Sequence, residues 1–271
     1  MTSDRDLAER AVRAGAERAL ALAGRALDVR RKSSAGDLVS AADHASEEAI
    51  VALLRAERPD DAITGEEGSA VGGAARRWLV DGLDGTVNFL RGIPQWCVAV
   101  VLEEGGEPLA AAVLDPNRDE LYSAARGDGA HRDGTPLRVR EGVPLSEAVV
   151  SSFLRADKLR GSAAIEGFGP LLGAPAALRM GGAGSLELAW LAAGRTDGWA
   201  QPNVDEWDWL PGRLLVDEAG GRTAVIDGDP LSWYLAAAPG TFGELRALFR
   251  PTGSPRRAPS RPRGLRSEGA P

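Results

Sequence analysis

The chain has 271 residues, 44% of them hydrophobic, a net charge of −7 and a single cysteine, Cys97. This length suits one large domain or two closely packed halves. One cysteine excludes an intramolecular disulfide and fits a reducing cytoplasm, and two histidines without a cysteine cluster argue against zinc or haem.

An acidic balance argues against a nucleic-acid binder over the whole surface. No apolar run approaches the ~20 residues of a membrane span, and the opening MTSDRDLAER lacks the apolar segment of a signal peptide. A cytoplasmic protein with no membrane contact is therefore expected.

Apolar positions Leu7, Ala11, Val12, Ala16, Ala19, Leu20 and Leu27 recur at helical spacing and predict a packing helix from Ser3 to about Val29. A basic, polar break follows at 30–34, where Lys32 is a candidate for positive charge near an anionic substrate. A second helix is expected from about Asp43 to Arg55, with Asp43 as its cap or first-turn anion. Ile63 to Gly68, ITGEEG, reads as a brief strand entering an acidic turn. The short polar linker behind it lets Glu66 or Glu67 fold back on what comes next.

What comes next is WLVDGLDGTVNF, residues 78–89. Trp78-Leu79-Val80 reads as a buried strand end, and Asp81, Asp84 and Thr86 follow in a turn loosened by Gly82 and Gly85. Two carboxylates and a hydroxyl this close repel unless a cation lies between them, and hard oxygen ligands suit Mg²⁺. The glycines also let backbone amides approach an anion. A glutamate beside Asp81 completes an all-oxygen site and can orient an attacking water.

A meander of strands is expected over 96–103, 109–114, 119–125 and 137–140, with His131 isolated among turn residues. This half, residues 1–142, reads as α+β. In residues 143–250 strands at 148–153, 177–180, 197–200, 222–226 and 233–238 alternate with helices at 186–194, 207–220 and 241–249, an α/β layer. Residues 165–172 fit either helix or strand. Gly181 to Ser185 opens a helix whose amides can hold an anion or a hydroxyl, and Asp208 stands where a helix cap belongs. The Pro- and Arg-rich stretch 251–271 has no apolar pattern and is expected to be a disordered tail.

Taken together, GEEG (65–68), DGLDGTVNF (81–89), WDWLPG (207–212) and EAGG (218–221) resemble the inositol monophosphatase family, as do DLVSAAD (37–43) and GAGSLELAWLAAGRTDG (182–198). The resemblance spans roughly residues 5–250. It implies a layered αβαβα sandwich of the inositol monophosphatase / fructose-1,6-bisphosphatase type, usually a homodimer, and Mg²⁺-dependent, lithium-sensitive hydrolysis of phosphate monoesters. Carried over by position, Glu66, Asp81, Thr86 and the Leu83 carbonyl are implied to surround one Mg²⁺. Asp81, Asp84 and Asp208 are implied to hold a second, with a third contacting Glu66 through water. The resemblance further implies phosphate on the Gly85 and Thr86 amides, water oriented by Glu66 and Thr86, and substrate against Asp84, Gly182, Ala183, Gly184, Gln201 and Asp208.

The chain departs from the family at several of these positions. Gly82 replaces the usual proline, which predicts a looser turn, and Val87 replaces a threonine. Ala183 stands where a serine or threonine is usual, and Gln201 where inositol phosphatases carry a glutamate. Glutamine lacks charge and donates as well as accepts, with Asp205 or Glu206 as possible replacements. A small phosphorylated metabolite is thus the expected substrate: an inositol, sugar or related alcohol phosphate. Histidinol phosphate and adenosine 3′,5′-bisphosphate are the alternatives within enzymes, and a transcription-complex or nucleic-acid partner using the basic tail is the alternative outside them.

Overall fold

The computed structural model describes residues 2–25, 29–31, 38–154, 162–228 and 231–249. The expectations for Lys32 and for the 251–271 tail concern residues outside that set.

Helix α1 (Asp4–Leu22) starts at Ser3, whose hydroxyl accepts from the Asp6 amide, and ends earlier than the apolar spacing predicts. Gly24 takes φ +72°, the left-handed conformation that terminates helices. Strands β1 (Val29–Arg31) and β2 (Leu38–Ser40) pair antiparallel and lead into α2 (Ala41–Glu57), opened by a Ser40/Asp43 capping box.

Eight strands then form the first sheet: β3 (Ala62–Gly65), β4 (Ala70–Val71), β5 (Arg76–Asp84), β6 (Cys97–Glu104), β7 (Glu107–Asp115), β8 (Glu120–Ala125), β9 (Ala130–Arg132) and β10 (Thr135–Pro136). Their order is β10-β9-β8-β7-β6-β5-β3-β4, and α3 (Thr86–Leu90) interrupts the turn after β5. The last strand is therefore Thr135–Pro136 rather than 137–140. Leu137 and Val139 instead bond singly to Ala130 and Ala219 as the chain leaves the sheet edge.

The second sheet holds β11 (Val149–Ser151), β12 (Ala177–Arg179), β13 (Gly198–Pro202), β14 (Arg222–Ile226) and β15 (Trp233–Ala237), in the order β12-β11-β13-β15-β14. Residues 165–172 lie within helix α4 (Ser162–Gly173). Helices α5 (Gly184–Ala192), α6 (Glu206–Glu218) and α7 (Pro239–Ala247) complete the chain.

Three apolar clusters set the layering. Leu7, Val12, Ile50 and Leu54 of α1 and α2 pack with Val98, Val100 and Leu102 on one face of the first sheet. The other face, through Cys97, Ala99 and Val101, meets Leu186 and Leu188 of α5, Leu214 and Leu215 of α6, and Trp199 of the second sheet. Beyond that sheet, Phe168 and Leu171 of α4 pack with Phe242 and Leu245 of α7 around Trp233 and Leu235. Odd and even residues of β6 thus serve different cores, as the two-residue period of a strand requires. The result is the αβαβα sandwich. Burying both sheet faces explains why β6 reads as a nearly continuous apolar run.

Gly82 does not loosen its turn. A Cβ there would lie 2.9 Å from both the Asp43 carbonyl and the Glu47 amide, so the missing side chain lets α2 press onto β5. The Ser46 hydroxyl seals that approach with a 2.6 Å bond to the Gly82 carbonyl. Gly82→Ala is expected to destabilise the protein by about 1–3 kcal/mol through overpacking, read as a lowered urea midpoint with an unchanged slope.

Candidate active site

Alternation along β5 decides where its carboxylates point. Leu79 belongs to the core shared with α5 and α6, whereas Trp78 and Val80 belong to the core under α1 and α2. Asp81 therefore faces the central helices. Strict alternation would send Asp84 the other way. Instead Asp81 pairs with Ala99 and Asp84 with Cys97, three residues advanced on one strand against two on the other. This bulge turns Asp84 to the same face, with the Cys97 Sγ 3.6 Å from its Oδ2.

Asp208 meets them from the opposite side. The cap position of α6 belongs to Asp205, not Asp208, which is the third helical residue and projects from the first turn. Oxygens of Asp81, Asp84 and Asp208 lie within 4.8 Å of one another. Asp81 Oδ1 accepts from the Leu83 amide at 2.9 Å, while its buried Oδ2 has no hydrogen-bond partner. An orphaned carboxylate oxygen among two further carboxylates matches the all-oxygen donor set of a hard divalent cation.

Burial first, then the neighbouring carboxylates, hold Asp81 and Asp208 well above the ordinary carboxyl range. Asp84 is raised only to about 6, again by burial first. The Ser185 amide, 2.7 Å from its Oδ2, offsets part of that rise. Glu66 is close enough to push all three upward.

Two buried acids hold the surrounding loops. Glu47 accepts from the amides of Glu67 (2.8 Å) and Ser69 (3.0 Å), fixing the turn that carries Glu66. Gly65 leaves the space that the Glu47 carboxylate fills. Asp43 caps α2 through Ser40 and also accepts from the Thr86 hydroxyl at 2.8 Å. Thr86 Oγ1 lies 3.3 Å from the Leu83 carbonyl. Gly85, at φ +98°, is the N-cap of α3, and a Cβ there would lie 3.1 Å from the Gln95 carbonyl and the Trp96 side chain.

On the facing side, the Asn88 side chain donates to the carbonyls of Gln95 (2.6 Å) and Gly181 (2.7 Å), tying α3 to the turn before α5. Gly182 turns at φ +82° and Ala183 is fully buried, so its methyl packs in the core. Gln201 Oε1 is buried without a partner, 3.5 Å from where a Gly184 side chain would begin. Glu206 is engaged by Arg77 at 2.8 Å. His131 lies on β9 beside Arg5 and does not join this cluster.

The structure thus brings Asp81, Asp84 and Asp208 together, with Glu66, Leu83 and Thr86 beside them. Sequence reasoning missed Glu47, Asn88 and Ser185, and also Glu187, which accepts from the Gly181 amide at 2.6 Å and so holds the turn before α5. For Glu47 a signal existed, since positions 43, 47, 50 and 54 share one face of α2 and an acid there is out of place unless it holds something.

A model of the inositol monophosphatase family matches residues 2–249. The chain belongs to the inositol monophosphatase family. It is 41% identical over 198 residues to an inositol-1-monophosphatase of Rhizobium meliloti, covering 71% of this chain and 73% of that one. It is 38% identical over 193 residues to the Nus factor SuhB of Xylella fastidiosa, covering 71% and 70%. Among solved structures, the SuhB protein of Bartonella henselae superposes with a TM-score of 0.82 at 29% identity, covering 92% of this chain and 98% of that one. The protein is a phosphoric monoester hydrolase with the family's sandwich fold.

Because the folded carboxyls bind protons more tightly than an unfolded chain does, their effect on stability falls as pH rises from about 4 through Asp84's value of about 6. In EDTA, Asp81→Asn is therefore expected to be more stable than the parent at pH 7 and close to it at pH 4. Urea denaturation at the two pH values reads this. Equal stabilities at pH 7 would contradict the repulsion.

Proposed function

We propose that the protein hydrolyses a small phosphate monoester with Mg²⁺, by direct attack of water and without a covalent phosphoenzyme. An inositol, sugar or related alcohol phosphate fits best. The observation that carries this is the orphaned, buried Asp81 Oδ2 within 4.8 Å reach of Asp84 and Asp208 oxygens. The name inositol-1-monophosphatase on relatives at 38–41% identity supports the substrate class.

In this reading Glu66, Asp81, Thr86 and the Leu83 carbonyl would hold one Mg²⁺ and Asp81, Asp84 and Asp208 a second, with Glu66 also available to a third. When bound, such cations neutralise phosphoryl charge and make water acidic enough to supply a nucleophile near neutral pH. The Thr86 hydroxyl donates its hydrogen bond to Asp43, so the Thr86 oxygen presents lone pairs rather than its hydrogen to the site. Glu66 and Thr86 orient the attacking water, and Glu47 keeps the Glu66 turn in place. The Gly85 and Thr86 amides take phosphate oxygens, aided by the left-handed turn at Gly85. The Ser185 amide holds Asp84 so that its other oxygen stays turned inward.

Beyond the phosphate, the substrate's hydroxyls meet Asp84, Asp208, the backbone from Gly182 to Gly184, and the Gln201 amide. A neutral amide in that place favours a polyol that offers an acceptor as well as a donor. Inhibition by lithium and a homodimeric state are part of the same reading. A second reading, a role in transcription complexes, draws on relatives named Nus factor SuhB. Removing 251–271 and measuring RNA binding separates it from catalysis.

Phosphate release from inositol 1-phosphate, sugar phosphates, histidinol phosphate, nucleoside monophosphates and adenosine 3′,5′-bisphosphate, with Mg²⁺ and with EDTA, tests the proposal. One preferred, EDTA-sensitive polyol phosphate is expected. Asp81→Asn should lower kcat by about 10³-fold or more while leaving the circular dichroism unchanged, and near-parental turnover would refute the ligand set.

A further inference from the structure

Strand β5 carries more than carboxylates on the face it turns to the central helices. Residues 77, 79 and 81 share that face by alternation, and Leu79 sits there in the core with α5 and α6. Arg77 therefore projects toward α6 from a point four residues before Asp81.

Its guanidinium holds two acids at once. Nε donates to Glu103 Oε1 at 2.7 Å, and a terminal nitrogen donates to Glu206 Oε2 at 2.8 Å. Glu103 stands directly across from Arg77 in the β5–β6 register, with its side chain only 5% exposed. Its other oxygen accepts from the Gly106 amide at 2.6 Å, in the hairpin that joins β6 to β7. An exposed ion pair is ordinarily weak because two long side chains must be frozen to make it. Here the planar fork is already oriented on a buried partner, so only Glu206 has to be ordered.

Glu206 is the first residue of α6 and lies two positions before Asp208. Polar ties on that turn are otherwise few among the described residues. The N-cap, Asp205, makes no side-chain cap bond, and the Ser185 hydroxyl reaches the Asp208 carbonyl only at 3.2 Å. Yet the turn is under load. Asp208 is brought within 4.8 Å of Asp81 and Asp84, and the charges of Asp84, Glu66 and Asp205 all oppose its own. Strand β5 and helix α6 thus meet at an attraction, Arg77 with Glu206, and at a repulsion, Asp81 with Asp208.

We propose that Arg77 is a positioning residue: by gripping Glu206 it clamps the first turn of α6 to β5 and holds Asp208 opposite Asp81, so that the cation site is formed before a cation arrives. Arg77 acts only through Glu206 and the helix turn. The inference rests on the reading of the carboxylate cluster as a divalent-cation site.

Clamping and plain electrostatics predict opposite signs. Arg77 is a positive charge near a cation site, so by Coulomb's law alone its removal tightens the binding of a divalent ion. As a clamp, its removal frees Asp208 and weakens that binding.

Mn²⁺ titration of the full chain without substrate, followed by the electron paramagnetic resonance of the free ion, tests this. The binding step lost in Asp208→Asn identifies the site concerned. There, Arg77→Gln, which keeps a donor for Glu103, is expected to weaken binding about three- to tenfold. Glu206→Gln, which leaves the buried Arg77–Glu103 pair intact, should weaken it to the same extent. The double variant should bind no more weakly than either single one, because both break one contact. Arg76→Gln breaks ion pairs to Asp61 and Asp4 on the opposite face of β5 and should not weaken binding. Unchanged or tighter binding in Arg77→Gln overturns the proposal. So do additive losses in the double variant, which would mean that Glu206 acts by its charge alone. Equal weakening by Arg76→Gln, the mark of a general loss of stability, overturns it as well. No Mn²⁺ bound by the parent removes the cation reading and this inference with it, whereas binding that ignores Arg77 removes this inference alone.

Discussion

Three carboxylates held within 4.8 Å in a mostly buried place are the constraint on which the rest of the structure depends. Desolvation and mutual repulsion both oppose such an arrangement, so the surroundings have to impose it. A bulge in β5 supplies two of the acids on one face, and the first turn of α6 supplies the third. The Ser185 amide and the Leu83 amide each bond one carboxylate oxygen. What is left over is an unsatisfied oxygen on Asp81. The protein spends stability there on a geometry that a divalent cation would reward.

The neighbouring loops obey the same logic at one remove. Asp43 and Glu47 sit one helical turn apart on α2, and each uses its full carboxylate on backbone or hydroxyl donors. Asp43 fixes Thr86, and Glu47 fixes the turn of Glu66. Gly82 and Gly65 permit this, because side chains at either place would occupy the space of α2 or of the Glu47 carboxylate. An acid-rich helix face pressed on a glycine-punctuated strand is thus a positioning device for the residues in front of it.

Much of this was legible in the sequence. The order of most strands and helices followed from periodicity and from turn residues, the carboxylates of 81 and 84 stood out as unusual in their setting, and Asp208 joined them only through the family resemblance. The limits have physical causes. The α1 end was set by Gly24 rather than by the apolar pattern that continues past it. The last strand of the first sheet was misplaced because Leu137–Arg140 alternates like a strand yet finds only single bonds across to Ala130 and Ala219. Asp208 read as a cap because a carboxylate beside a helix start looks the same in sequence at either position. Glu187 was invisible because nearly all of α5 is buried, which leaves no polar face against which an acid could stand out.

The Asp84–Ser185 bond joins residues 101 positions apart, across the interface between the first sheet and the central helices. Asp81 and Asp208 are similarly distant in the chain. No local segment can assemble this cluster, and the loop-closure entropy must be spent before any of its parts meet. The cluster therefore exists only where the layers are docked on their apolar faces. A cation held there would act as a rivet between strand β5 and helix α6, so prising the layers apart would mean giving up the cation as well. Resistance to unfolding and competence for chemistry would then rise and fall together.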